Sequence, residues 1–195
     1  MTVEEKYLNV LKHLILVMKH KKYVYKLMSV CGYPIRGLVH DMSKFQIIEL
    51  KESIKYYNGK RSPLSIAKEK QGYSLAWLHH VGKNKHHSAY WVDITNGIMN
   101  PCKIPWVYLV EQICDTISAE KVYHKDWDES YPNTWWKNSG SLNIYHDDTR
   151  ILLNYVYSTI EKKGWGFVSF LISSGILEKF YDNIDCLNLG VINFG

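Results

Sequence analysis

Apolar residues recur every three or four positions along most of this chain, which is the spacing of one face of an α-helix. The first such segment runs from Val3 to Cys31 and stops at Gly32, a residue that commonly ends helices. The apolar stripe that we assign to this first helix consists of Leu8, Leu11, Ile15 and Met18, and Lys22 continues its spacing.

Start signals place two further helical segments before residue 60. A short one runs from Ile35 to Asp41 after Pro34. Ser43 and Gln46 have the spacing of a capping box, in which the first residue caps the helix and the fourth returns a hydrogen bond. This box predicts a helix from Ser43 to Gly59.

The remaining helices are predicted from prolines and aspartates at their first positions. A helix opened by Ser62-Pro63 is expected to continue to His80 despite Gly72. Pro105 opens a helix through Glu120, and Asp147 or Asp148 caps one that ends near Gly164.

No segment shows the alternation typical of strands, so we expect an all-α fold. With 195 residues and no linker-like stretch, the chain suits one domain spanning residues 1–195. Residues 125–145 are predicted to form a long loop whose tryptophans pin it to the body of the protein. Residues 164–195 form a C-terminal extension to which the sequence assigns no role.

Composition and charge narrow the class of protein. Hydrophobic residues make up 46% of the chain and aromatic residues 14%, which argues against disorder. The net charge of +5 is spread over single lysines. It is consistent with a small anionic ligand or with a solvated surface, and nucleic acid is not an expected partner.

The cysteines and apolar runs indicate a cytoplasmic protein. The four cysteines form no CxxC pair, so buried free thiols in a reducing compartment are expected. The N-terminal residues lack the basic region of a signal peptide. The longest apolar run is shorter than the roughly 20 residues that cross a bilayer, so no membrane association is expected.

Nine histidines are the strongest chemical signal in the sequence. Neutral imidazole is the commonest metal ligand in proteins, and a neighbouring carboxylate suits a harder divalent ion. A helical bundle could bring together ligands from separate segments. The alternatives are a surface position for His20 and core positions, bonded to backbone carbonyls, for His80 and His87. The candidate ligands are His20, His40, Asp41, His80, His87 and Asp115.

Asp115 and Glu111 strengthen this interpretation. Asp115 follows the apolar run VYLVEQIC, and a buried acid without a partner is costly. Glu111 lies one helical turn earlier, on the same side. Two carboxylates so placed are unfavourable unless positive charge lies beside them.

In this order, the residues resemble the HD-domain superfamily of metal-dependent phosphohydrolases: His20, then His40-Asp41, then Asp115. More narrowly, the segments HKKYV, HDMSKF, WLHHVGKNKHH, YW and EQICD are similar to an uncharacterised HD-like family of bacteria and phages. The similarity covers roughly residues 10–155. It departs from that family after Asp115, where TIS replaces a usual tryptophan.

The resemblance implies an HD-like helical bundle that holds one or two divalent ions. Mn, Fe, Mg, Ni, Co and Zn are not distinguished. One ion would be bound by His20, His40, Asp41 and Asp115. Asp41 would bridge to a second ion at His80 and His87, where His87 is favoured over His86 because its surroundings match the pattern better.

The resemblance also implies a function. The expected activity is hydrolysis of a nucleotide or similar small phosphate ester, with Lys44 contacting phosphate as a point charge and Glu111 as a further candidate catalytic residue. The alternatives are an HD-like di-iron oxygenase and a non-catalytic module that binds metal or nucleotide. The oligomeric state is left open.

Overall fold

The computed structural model describes residues 3–139 and 142–184. Most of these residues are helical, which confirms the all-α prediction. The α-helices are α1 (Val3–Val30), α2 (Pro34–Val39), α3 (Ile47–Tyr56), α4 (Pro63–Gln71), α5 (Leu75–Lys83), α6 (Trp106–Tyr123), α7 (Tyr131–Asn138), α8 (Asp147–Ser173) and α9 (Ile176–Asp182).

Short 3₁₀ helices and one hairpin complete the regular structure of the described ranges. The 3₁₀ helices are Met42–Phe45, Ser88–Trp91 and Leu142–Ile144. Strands β1 (Val92–Thr95) and β2 (Ile98–Pro101) are antiparallel, with Val92 opposite Pro101. Their two-residue turn, Asn96-Gly97, has positive φ at both positions, which is the geometry that Asn-Gly hairpins prefer.

Helix α1 forms where it was predicted, but it buries the opposite face from the one assigned. Leu8, Leu11, Ile15 and Met18 are between 50% and 67% exposed. The buried face instead carries residues on the other side of the helical wheel, and Cys31 continues it just after the helix. The buried residues are His13, Val17, His20, Val24, Leu27, Met28 and Cys31. The period was predicted correctly, but the choice of face was wrong because the interior beside this helix is partly polar.

The capping box at Ser43 does not form. Asp41 adopts a left-handed conformation, and residues 42–45 continue as a 3₁₀ helix closed by a bond from Gln46 N to Ser43 O. Helix α3 therefore begins only at Ile47. The Ser43 hydroxyl accepts a hydrogen bond from Asn84 instead, so this side chain is used inside the molecule.

The single helix predicted from Ser62 to His80 is divided in two. Gly72 takes φ 82° and ends α4, with its N–H bonded to Lys68 O. The Ser74 hydroxyl then accepts from Trp77 N and caps α5. Left-handed glycines commonly end helices, and this one places His80 on a separate, reoriented helix.

The predicted long loop at 125–145 contains helix α7. Trp136 anchors the segment, as the sequence predicted for its tryptophans: the side chain is 1% exposed and its Nε1 donates to Asn154 on α8. The loop prediction failed because turn-forming residues surround α7, and Pro132 lies in its first turn, where proline is tolerated.

The predicted C-terminal extension belongs, in its described part, to the body of the domain. Helix α8 is interrupted near its predicted end, since Gly164 has non-helical φ 81° and ψ 162°. The chain resumes as a helix and returns Val168, Ile172, Leu177 and Tyr181 to the core. Residues 185–195 of that extension lie outside the described residues.

The helices contribute unequally to the hydrophobic core. In the described ranges the main cluster of buried apolar residues comes from α1, α6, α7, α8, α9 and the segments beside them, whereas Ile66 and Ala67 of α4 and Ala76 of α5 are buried outside this cluster. Cys31 and Cys114 are buried free thiols in this core, as predicted, whereas Cys102 is exposed. No described helix is both long and apolar enough to cross a membrane.

Trp136 provides a test of this packing. Trp136→Ala is expected to lower the free energy of unfolding by about 3–5 kcal/mol, because it opens a large cavity in the core. The matched control is Trp135→Ala, since Trp135 is 37% exposed and should cost less. Chemical denaturation of both variants measures the difference, and equal losses would contradict the assignment of Trp136 as the anchor.

Candidate metal centre

A cluster of polar side chains lies in the interior, between the half that contains the hydrophobic core and helices α3–α5. His20 comes from α1, His40 and Asp41 from the turn after α2, and Asp115 from α6. His80 comes from α5, and His86 and His87 from the loop that follows it. All six ligands proposed from the sequence, and His86 in addition, therefore meet in one region.

The ligand atoms form three groups, of which two share Asp41 and the third consists of His40, His86 and Glu111. His20, His40, Asp41 and Asp115 offer atoms within 4.8 Å of one another, and so do Asp41, His80, His86 and His87. Each group contains three or more imidazole or carboxylate ligands, which is enough to hold a metal ion. Asp41 therefore occupies the position of a shared ligand.

The backbone at residue 41 explains why histidine and aspartate are adjacent. His40 is extended, with φ −51° and ψ 130°, and Asp41 is left-handed, with φ 52° and ψ 33°. Aspartate tolerates this conformation better than most residues. The sharp turn directs both side chains inward, so that His40 Nε2 lies 3.2 Å from Asp41 Oδ2.

The first group is tightly packed around Asp115. His20 Nε2 lies 2.8 Å from Asp115 Oδ1, and His40 Nε2 lies 3.3 Å from the same oxygen. The two imidazole Nε2 atoms are 3.4 Å apart. Three ligand side chains from three elements thus direct their metal-binding atoms to one point.

The second group contains buried polar atoms without hydrogen-bond partners. Asp41 Oδ1 lies 3.4 Å from His80 Nε2 and 3.5 Å from His86 Nε2. Among the described residues, Asp41 Oδ1, both ring nitrogens of His86 and His87 Nε2 are buried and make no hydrogen bond. Buried polar atoms are almost always satisfied, and a cation beside Asp41 Oδ1, His86 Nε2 and His87 Nε2 would satisfy these three atoms, whereas His86 Nδ1 faces Glu111.

Two buried glutamates orient the histidines from behind. Glu111 Oε1 accepts from His40 Nδ1 at 2.9 Å and lies 3.3 Å from His86 Nδ1. Glu49 contacts His80 Nδ1 at 2.9 Å and His79 Nδ1 at 2.7 Å. A carboxylate on Nδ1 leaves Nε2 free to bind a metal, which is the usual arrangement behind metal-binding histidines.

Cations balance the carboxylates. Arg36 Nε donates to Glu111 Oε2 at 2.5 Å and supplies the positive charge that the Glu111–Asp115 pair required. Lys44 Nζ lies 2.6 Å from Asp41 Oδ2. Lys21 donates to the backbone carbonyl of His40 and so fixes the turn that carries both ligands.

The carboxylates of the centre are ionised at neutral pH. Burial would raise the pKa of Asp41, but His40, Lys44 and His80 outweigh it and hold that pKa well below its usual value. Burial would likewise raise the pKa of Asp115, but His20 and His40 outweigh it and hold that pKa well below its usual value. The pKa of Glu111 is lowered to about 2 by His40 and His86 despite burial.

The pKa values of the histidines are shifted in different directions. Burial lowers the pKa of His20 although Asp115 opposes this shift. Burial alone would lower the pKa of His40, but the carboxylates of Asp41, Asp115 and Glu111 raise it well above its usual value. Burial lowers the pKa of His87 well below the usual value, and the neighbouring His86 and His80 lower it further. His87 is therefore neutral, which is the state that binds metals.

A cavity of about 190 Å³ opens onto this centre. His20, Asp41, His80, His87 and Asp115 form one part of its wall together with Lys44. The rest of the wall comes from α1, α3, the start of α4, α5 and the end of α6. A molecule in this cavity would contact the metal ligands and Lys44 together.

The two catalytic residues proposed from the sequence, Lys44 and Glu111, lie in different places relative to the cavity. Lys44 lines the cavity, whereas Glu111 is fully buried and lies behind His40 and His86, outside the cavity wall. Glu111 is thus placed to position ligands rather than to touch a substrate. Sequence reasoning missed Glu49 and Arg36, although Glu49 lies in the apolar stretch IIEL, the same signal that identified Asp115.

Replacement of His13 tests whether its ring is buried in the neutral form in the cavity wall. Burial, assisted by the charge of Lys44, lowers its pKa from 6.5 to about 4. Between these pH values the unfolded chain binds a proton that the folded chain does not, so His13 makes the fold less stable as the pH falls. His13→Leu is expected to reduce the loss of unfolding free energy between pH 7.5 and 5 by about 2 kcal/mol.

Denaturant titrations at both pH values measure this difference. His146→Leu is the control, because His146 is half-buried at the start of α8 and does not line the cavity. If His13→Leu and the unaltered protein lose the same stability on acidification, His13 is not buried in its neutral form.

Comparison with known proteins adds a family but no function. No curated protein matches the chain significantly, and neither does any solved structure. A family of unknown function (DUF5662) matches residues 9–159. That range includes every residue of the two ligand groups. With most of its length matched, the chain belongs to the DUF5662 family.

Proposed function

We propose that this protein is a metal-dependent phosphohydrolase that acts on small phosphate esters and has an HD-type fold and centre. The observation that carries the proposal is the position of Asp41. One carboxylate oxygen faces His40 and Lys44, and the other is buried without a hydrogen bond beside His80 and His86. A shared ligand between two ions requires this arrangement.

The side chains fit two divalent ions. His20, His40, Asp41 and Asp115 would hold one, and Asp41, His80, His86 and His87 offer ligands to the other. The mixture of imidazole and carboxylate suits first-row transition metals. When bound, such ions lower the pKa of a coordinated water and neutralise charge on phosphoryl oxygens.

The charge of the site supports an anionic substrate. Asp41 and Asp115 together carry fewer negative charges than two divalent ions would carry positive ones, so the loaded site is net positive. Lys44 keeps its proton: burial alone would lower its pKa, but Asp41 and Asp115 raise it. Its ammonium group, in the cavity wall, would contact a phosphoryl oxygen and orient the ester toward the centre.

Substitutions at Asp41 and Lys44 distinguish metal binding from substrate binding. Asp41→Asn keeps a residue that tolerates the left-handed backbone but removes the shared charge, so metal and activity are expected to be lost together. Lys44→Met is expected to keep the metal and to slow phosphate release about ten- to a hundredfold, the effect of losing one charge-assisted contact.

The measurements are elemental analysis of protein purified without chelator and phosphate release from a panel of esters. If Lys44→Met loses metal as fully as Asp41→Asn, the lysine has a structural role. If both variants release phosphate like the unaltered protein, hydrolysis occurs elsewhere and the proposal fails.

Replacement of Glu111 tests whether its carboxylate orients the metal-binding histidines. Glu111→Gln is expected to weaken metal binding about ten- to a hundredfold, as is typical when a carboxylate behind a metal-binding histidine is removed. The control is Glu69→Gln, because Glu69 is an exposed residue paired with Arg61. Titration of metal-free protein with Mn²⁺ measures the affinities, and equal affinities for the two variants would remove Glu111 from the centre.

The second candidate function is oxygenation at an iron centre, because imidazole and carboxylate ligands suit iron as well. An HD-like di-iron oxygenase would use the same residues. Protein that contains iron, has an optical absorption band and releases no phosphate from any ester would favour this function over hydrolysis.

A further inference from the structure

The wall of the cavity at the candidate centre has two chemically different parts. One part consists of the candidate metal ligands and Lys44. The rest of the wall is mainly apolar and includes Leu16, Val17, Pro63, Leu64, Trp77 and Val122. An occupant that matches both parts has a charged group at the metal ligands and an apolar body.

The volume limits the size of that body. The cavity measures about 190 Å³, whereas pockets for drug-sized ligands usually begin near 300 Å³. An apolar cavity of about 150 Å³ accepts a benzene ring. Because bound ions and a phosphoryl group would occupy part of the space, room remains for a body about as large as a single ring.

One polar residue stands out in the apolar wall. His13 lies seven residues before His20 on α1, two helical turns away on the same face, which is about 10.5 Å along the axis. Its side chain is buried, and its ring packs edge-on against Tyr57. Among the described residues, His13 Nδ1 has no hydrogen-bond partner.

This unmet hydrogen bond indicates a ligand atom. A buried ring nitrogen without a partner is costly, and the lining places His13 where an occupant of the cavity can reach it. The pKa of His13 is lowered to about 4, so at neutral pH its uncharged ring can donate one hydrogen bond and accept another. A hydroxyl group, which can both donate and accept, is a suitable partner for this ring.

We infer that the substrates are compact phosphate monoesters, with a single-ring-sized apolar body whose far end carries a hydroxyl group that binds His13. This inference rests on the proposed phosphohydrolase function and narrows its substrate class. Two-ring bodies, including purine nucleosides, are expected to fit this cavity of about 190 Å³ less well. Lys44 and the ions would select the phosphoryl group, and His13 would select the hydroxyl group.

Binding of phosphonates tests recognition independently of hydrolysis, because their carbon–phosphorus bond replaces the ester link. Calorimetry on Mn²⁺-loaded protein compares phenylphosphonate, 4-hydroxyphenylphosphonate and 1-naphthylphosphonate. We expect phenylphosphonate to bind at least about tenfold more tightly than the naphthyl compound. The hydroxyl group should add about three- to tenfold, the effect of one neutral hydrogen bond.

Two variants separate the two parts of the inference. His13→Leu is expected to bring the ratio of hydroxyphenyl to phenyl affinity to about one, and the control His146→Leu should keep the ratio of the unaltered protein. Leu64→Ala enlarges the apolar part of the cavity and should improve naphthyl affinity relative to phenyl affinity. The second variant tests the size limit even if replacement of His13 impairs folding.

Phosphate release from the corresponding esters distinguishes the two proposals. Phosphonate binding in the expected order without release from phenyl phosphate would support the recognition inference and overturn the hydrolase function. Release with a preference for naphthyl phosphate or AMP would overturn the compact-substrate inference alone. Failure of every phosphonate to bind, or a hydroxyl ratio unchanged by His13→Leu, would also overturn it.

Discussion

The burial of ionised carboxylates is the constraint on which this structure depends. Asp41, Glu49 and Glu111 are almost completely inaccessible to solvent, and an isolated buried charge is too costly for a fold to retain. Each carboxylate is compensated by imidazoles or by a basic side chain. Helices α1, α3, α5 and α6 must lie where these partners can meet, so the polar centre determines how the helices are arranged.

The turn at His40-Asp41 shows how a local backbone feature serves that requirement. On one helix, two adjacent residues point about 100° apart and could not share a target. Ending α2 at Val39 and placing Asp41 in the left-handed region removes this restriction. The same turn prevents Ser43 from starting a helix, so the cost of bringing two ligands together includes one lost cap.

The sequence predicted the helical class and the ligand set better than it predicted the packing. Helical period, prolines and spaced histidines are local signals, and they located α1, α6, α8 and the six candidate ligands. The buried face of α1 was not predicted from the apolar pattern, because this face carries His13 and His20 beside its apolar residues while Leu8, Leu11 and Ile15 are exposed. Glu49 and Arg36 were missed because their partners are 30 and 75 residues away in the chain.

The absence of α3–α5 from the main cluster of the described hydrophobic core has a consequence for motion. Ions bound by ligands from α1, α5 and α6 and from the segments beside them would act as cross-links between α3–α5 and the core helices. Because local unfolding favours regions with few buried apolar contacts, removal of such ions is expected to make opening of α3–α5 easier than opening of the core helices.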